Sequence, residues 1–177
     1  MRLKEINREV FVADEPIVKI GPPELAFLKE KAALSPRGRV RLCAHAHSGD
    51  LLHEMIIALA RDTYIRPHKH LGKTESFHVI EGMADVVAFD EHGGLAEIIP
   101  LGDAASGRNF YYRLSSPVFH TLLIRTGLLI IHETTNGPFR KADAILADWA
   151  PAEEDGAGSR AYMARLASAV ASFQNTA

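Results

Sequence analysis

From Arg39 to about Thr134 the chain reads as short runs of apolar and β-branched residues broken by turn residues at close intervals. The runs are Arg39–Ala44, Glu54–Leu59, Tyr64–His68, Glu75–Ile80, Ala84–Phe89, Leu95–Pro100, Phe110–Leu114, His120–Ile124 and Leu128–Thr134. Between them stand Glu81-Gly82, His92-Gly93-Gly94, Leu101-Gly102-Asp103, Ser115-Ser116-Pro117 and Arg125-Thr126-Gly127. Many short strands without helical periodicity between them predict an antiparallel sandwich or barrel. The stretch Phe77–Pro100 is the clearest hairpin, its arms joined by Asp90–Gly94.

The flanks have a different texture. Residues 1–38 form an N-terminal extension in which Pro22-Pro23 opens a short helix, Pro23–Leu34, with Leu25, Leu28 and Ala32 on one face. Ser35-Pro36-Arg37-Gly38 ends it, because proline cannot continue a helix. The barrel occupies residues 39–140, and residues 141–177 form a linker and a C-terminal helix. Trp149–Gly158 reads as a polar, flexible connection, after which Ser159 can cap a helix to Phe173 with Tyr162, Leu166, Val170 and Phe173 in one apolar stripe. The overall class is therefore mainly β, with short helices at both ends.

Composition narrows the function without naming it. A chain of 177 residues with net charge −2 and scattered basic residues lacks the basic face of a nucleic-acid binder. No apolar run approaches the roughly 20 residues of a membrane span, and the N-terminus lacks the apolar core of a signal peptide. Cys43 is the single cysteine, which excludes an intrachain disulfide and points to a reducing, cytoplasmic setting. The apolar runs Met55–Leu59 and Leu128–Ile131 offer more apolar residues than one interior face can take up, so a homodimer is expected.

Candidate chemistry gathers in Arg66–Gly82. Residues i and i+2 of a strand share a face about 6–7 Å apart, so His68 and His70 can lean onto one metal ion. Glu75, sharing a face with Phe77 and Val79, supplies an acidic ligand at the mouth of an apolar interior. A fourth ligand must come from a distant strand, and His120, after Ser115-Ser116-Pro117, fits that need. His45 and His47 form a second His-x-His pair without a following acid, so they read as loop or rim. His78 should face outward and His92 should be solvated in its turn. Lys73, Tyr111, Tyr112, Arg113, His132 and Glu133 are candidates for a substrate-facing rim, with Tyr112 and Lys73 the candidate catalytic groups.

The pattern His68-x-His70, Glu75 and Gly82 resembles the first motif of the cupins, and Pro117-Val118-Phe119-His120 resembles the core of the second. Asp62 stands where the first motif usually has glycine, and Ile124 where the second usually closes on asparagine; both losses concern turns, not ligands. The segments EMIIALARDTYIRPHKH, KTESFHVIEG, FYYRLSSPVFHTL and HETTNGPF are similar to WbuC-type metalloproteins of the RmlC-like cupin superfamily, over roughly residues 39–150. That resemblance implies a cupin-type barrel or jelly roll with one divalent ion on His68, His70, Glu75 and His120. It also implies a small-molecule ligand, a sugar or sugar-nucleotide connected with bacterial lipopolysaccharide and O-antigen.

Three imidazoles and a carboxylate suit Fe, Mn, Ni or Zn. Four side chains on a tetrahedral zinc would close the site, whereas a six-coordinate ion keeps two positions for a polar or anionic substrate. The expectation is a metal-dependent enzyme, an isomerase, epimerase or oxygenase. The alternatives are a metal- or ligand-binding sensory module and a metal-free epimerase using a histidine base and Tyr112 as acid.

Overall fold

The protein is described over residues 1–175 by a computed structural model. Twelve strands form two sheets. They are β1 (Leu3–Asn7), β2 (Val10–Ala13), β3 (Arg39–Cys43), β4 (Leu52–Ala60), β5 (His68–His70), β6 (Glu75–Glu81), β7 (Met83–Phe89), β8 (Leu95–Gly102), β9 (Tyr111–Leu114), β10 (Phe119–Ile124), β11 (Leu128–Asn136) and β12 (Ala144–Leu146). The larger sheet runs β1-β2-β3-β4-β11-β6-β9 and the smaller β12-β5-β10-β7-β8. All pairings are antiparallel except β2 with β3. Helices α1 (Pro22–Leu34) and α2 (Gly156–Gln174) complete the chain. This is a mainly β sandwich with short helices, as the strand and turn spacing predicts.

Three packed layers follow from alternation along the central strands. Leu59, Phe77, Val79, Val86, Leu122, Leu129 and Ile131 meet between the sheets. Their sequence neighbours Ile56, Ala58 and Ile130 point the other way and are covered by Leu28 and Ala32 of α1. On the far side, Val87, Phe89, Phe119 and Leu123 pack on Leu166 and Val170 of α2. A strand buried on both faces reads as a continuous apolar run. The apolar excess of Met55–Leu59 and Leu128–Ile131, from which a homodimer was expected, is thus absorbed by α1 within the chain.

Several boundaries differ from expectation for identifiable reasons. Tyr64–Pro67 is not strand: Pro67 has no N–H to give a ladder, and the Ile65 and Pro67 carbonyls accept from Thr121 Oγ1 and the Ala147 N–H. The strand begins at His68. The β7–β8 hairpin does turn at Asp90–Gly94, but Phe77 lies in the other sheet, because the chain crosses between sheets at Gly82. Gly82 has φ +89°, and a Cβ there would sit 2.3 Å from the Leu128 carbonyl oxygen. Asp155, not Ser159, caps α2, accepting from the Gly158 N–H at 2.8 Å, and Ser159 is buried inside the helix. The connection before α2 is tied down: Trp149 packs on Phe89 and Phe119, and Glu153 pairs with Arg37 and Arg39. β1, β2 and β12 were not foreseen; β1 and β2 extend the large sheet by pairing β2 alongside β3.

Candidate metal centre and its cavity

The sandwich brings three histidines to one point. His68 and His70 lie on β5, and His120 on β10 pairs directly opposite His68. One ring nitrogen from each lies within 4.8 Å of the others. Glu75, at the start of β6, reaches this cluster from the larger sheet: Oε2 is 3.2 Å from His70 Nε2 and Oε1 is 2.8 Å from His120 Nε2. The spacing argument therefore placed all four groups together, although they come from three strands and both sheets.

Neighbouring backbone sets the ring orientations. His68 Nδ1 is 3.0 Å from the Arg66 carbonyl and His120 Nδ1 is 2.9 Å from the Val118 carbonyl. A carbonyl only accepts, so each Nδ1 carries the hydrogen and each Nε2 is left with its lone pair toward the cluster. Metal-binding histidines are commonly held this way. Glu75 is held as well: the Tyr112 hydroxyl donates to its Oε1 at 2.6 Å.

The charge balance in the cluster is incomplete. The buried His120 Nε2 lies 2.8 Å from a Glu75 oxygen, which is an acceptor. Two lone pairs at 2.8 Å require a cation, either a proton or a metal ion. Burial pushes the His68 imidazole down to about 4, helped by the neighbouring His120 and His70. Burial also favours a neutral His120, but Glu75 outweighs it and lifts His120 above its ordinary range. Burial opposes charge on Glu75 too, yet its contacts with His120, His70 and Tyr112 hold it well below the usual carboxylate range. Once His120 gives up its proton, an anionic carboxylate facing imidazole lone pairs is a donor set that fits a divalent ion.

The cluster lines one end of a cavity of about 830 Å³ between the sheets. Alternation selects its lining: Met55, Ile57 and Leu59 of β4, Phe77 of β6, and Ile131, Glu133 and Thr135 of β11 point inward. Met55–Leu59 is thus partly cavity wall. Burial, and then the charge of Glu75, push the Glu133 carboxyl up to about 8.

The remaining rim candidates divide by the same alternation. Tyr112 points inward, whereas Tyr111, Arg113 and His132 lie on the outer face, in register with His78, Ser76 and each other's neighbours. They do not line the cavity, so they are not the substrate-facing rim that their sequence positions suggest. The Lys73 ammonium bonds the Asn136 and Pro138 carbonyls at 2.8 and 2.9 Å and lies 3.6 Å from Asp143. It fastens the segment after β11 over the site. His45 and His47 lie on the β3–β4 loop at the cavity mouth, as expected of a rim. His45 stacks on the buried His53 with ring centres 4.1 Å apart. Arg41, Lys4 and His53 also face the cavity and were not singled out from the sequence. For Arg41 the signal existed, as the strand alternation Arg39, Arg41, Cys43. For Lys4 it did not, because β1 was not foreseen.

A family model described as a domain of unknown function (DUF6016) matches residues 21–101. No curated protein matches the chain in sequence. A Shewanella oneidensis protein solved by X-ray crystallography is similar in fold, with a TM-score of 0.51 and 15% identity over 63% of this chain and 75% of that one. Oxalate decarboxylase from Bacillus subtilis aligns with a TM-score of 0.42 and 18% identity, over 55% of this chain and 24% of its own. A structure described as DMSP lyases aligns with a TM-score of 0.42 and 14% identity, over 55% of this chain and 44% of that one. The likeness to the Shewanella protein concerns the fold, a two-sheet β-sandwich. Among the described residues no helix is long and apolar enough to cross a membrane.

Proposed function

We propose that this protein is a divalent-metal-dependent cupin enzyme acting on a small polar metabolite. The ion sits on His68, His70, Glu75 and His120. The observation that carries the reading is the convergence of the three histidine rings with Glu75, whose oxygens lie 2.8 Å from the buried His120 Nε2 and 3.2 Å from His70 Nε2. A proton alone would serve one such contact, whereas a dication serves four ligands at once.

The surroundings favour catalysis over a closed structural site. The cluster opens on a cavity within the size range of small-molecule sites. A bound divalent ion supplies a Lewis acid at the inner end of that cavity. The chain's own residues set the stage: the Arg66 and Val118 carbonyls fix two rings, Tyr112 fixes Glu75, and Lys73 fastens the segment that borders the cavity. Tyr112 and Lys73 therefore act as positioning groups. A metal-free epimerase would need the Tyr112 hydroxyl free, and here it is given to Glu75. The likeness to WbuC-type sequences supports a sugar or sugar-nucleotide as the metabolite.

Elemental analysis of purified variants tests the site. Wild type should carry one ion per chain; His70→Ala and His120→Ala should lose most of it while staying folded, and His47→Ala and His92→Ala should keep it. Tyr112→Phe should weaken metal affinity about tenfold or more, the usual effect of removing a group that orients a ligand. Retention of full metal by His120→Ala would show the ligand set to be wrong.

A further inference from the structure

The concave face of the larger sheet has a second end. Register lines up Lys4, Val12, Cys43, Met55, Glu133 and Phe77 in one row across six strands. The adjacent row carries Val10, Arg41, Ile57 and Ile131. Because Met55, Ile57 and Ile131 point into the cavity, Lys4 and Arg41 face the same side, and both line it. The cavity thus runs from the histidines to the N-terminal hairpin.

Cations at that end differ in one respect. Arg37 is paired with Glu9 and Glu153, and Arg39 with Glu153 at 2.7 Å. Arg41 and Lys4 make no side-chain hydrogen bond or ion pair among the described residues. Arg41 nonetheless sits in the middle of the strand order, between the buried Val40 and Leu42, with its N–H bonded to the Glu9 carbonyl at 2.8 Å. Its backbone is therefore fixed while its guanidinium is uncommitted. Glu133, the acid that shares this face, forms no ion pair with it.

Resting on the reading that the cavity takes a polar metabolite, we infer that Arg41 and Lys4 form an anion subsite for a phosphate group of that metabolite. Two cations on one face, two strands apart, match the double charge of a phosphate monoester, and the planar guanidinium matches its oxygens in a two-pronged hydrogen bond. Arg41 and Glu75 stand three strands and several residues apart, on the order of 20 Å between backbones, part of which the arginine side chain spans. The substrate is therefore elongated: its phosphate lies at the hairpin end and its remaining polar groups extend toward the metal.

Calorimetric titration of the full-length, metal-loaded protein tests this with glucose 1-phosphate, glucuronate and glucose as probes. Glucose 1-phosphate should bind most tightly, and its affinity should fall as salt rises. Arg41→Gln should weaken it about tenfold or more, Arg41→Lys should recover part, and Lys4→Gln should cost less. Metal content and circular dichroism should stay unchanged in all three variants. Equal affinities for phosphate and neutral sugar, or an Arg41→Gln variant that binds as well as wild type, would overturn the assignment. Tighter binding of glucuronate would also overturn it, replacing phosphate by carboxylate. Repeating the titration on His120→Ala separates the two readings, since the phosphate subsite should survive loss of the metal.

Discussion

Glu75 is enclosed by His70, His120 and Tyr112, and its charge is felt by the inward-facing Glu133 of β11. The consequences appear in the pH dependence of the metal-free chain. Glu133, raised to about 8 chiefly by burial, binds a proton in the folded state that the unfolded chain has already released. Its contribution is present at low pH and lost as pH rises from the ordinary carboxylate range through about 8. His120, raised by Glu75 against burial, acts with the same sign above its ordinary value. His68, pushed down to about 4 by burial, has the opposite sign: its contribution is lost as pH falls from about 6.5 toward 4. Between those values His68 and Glu133 oppose each other, and above about 6.5 only the loss remains. Urea unfolding of chelator-treated protein should therefore show stability falling from pH 6.5 to 8, and Glu133→Gln should flatten that fall. Metal affinity should move the other way, rising with pH as His120 gives up its proton.

The same β-strand can serve two layers at once, and β4 and β11 do so. Their inward residues build the cavity wall, while Ile56, Ala58 and Ile130 form a floor for α1. Helix α1 itself is weakly patterned for this task, since Leu28 and Ala32 are its only buried residues. Its seat therefore depends on a few contacts, with Leu28 fully buried. Leu28→Ala should destabilise the protein by about 2–5 kcal/mol, measured by urea denaturation, because a cavity opens where little can collapse. Metal content should remain at one ion per chain, since no ligand rests on α1. An exposed apolar strip on the outer sheet face, not the site, is what this helix prevents.

At the scale of the molecule, the candidate ligands join the two sheets. His68, His70 and His120 belong to the smaller sheet and Glu75 to the larger. An ion that binds only the folded arrangement stabilises it by mass action, about 2.7 kcal/mol at a hundredfold excess over Kd. For a chain of this length that corresponds to a Tm higher by roughly 5–10 °C. Scanning calorimetry with and without chelator should show this difference in wild type and none in His120→Ala. The N-terminal hairpin enlarges the same architecture, extending the concave face by two strands and carrying Lys4 to the far end of the cavity.

The local chemistry of the chain was enough to determine most strands, α1, and the four residues of the candidate metal centre. Alternation puts His68 and His70 on one face, and His120, three residues after Pro117, is an unusual feature in an apolar run. The sequence also specified that Met55–Leu59 and Leu128–Ile131 carry apolar residues on both faces. What covers the second face was settled only in three dimensions, where α1 packs on it. Tertiary structure likewise decided which of Tyr111, Tyr112 and Arg113 points inward, because adjacent residues face opposite ways and a shift of one in register exchanges them. Arg41 and Lys4 share that history. Each is an ordinary surface cation in sequence, and only the pairing of β1, β2 and β3 turns both to the same end of a cavity.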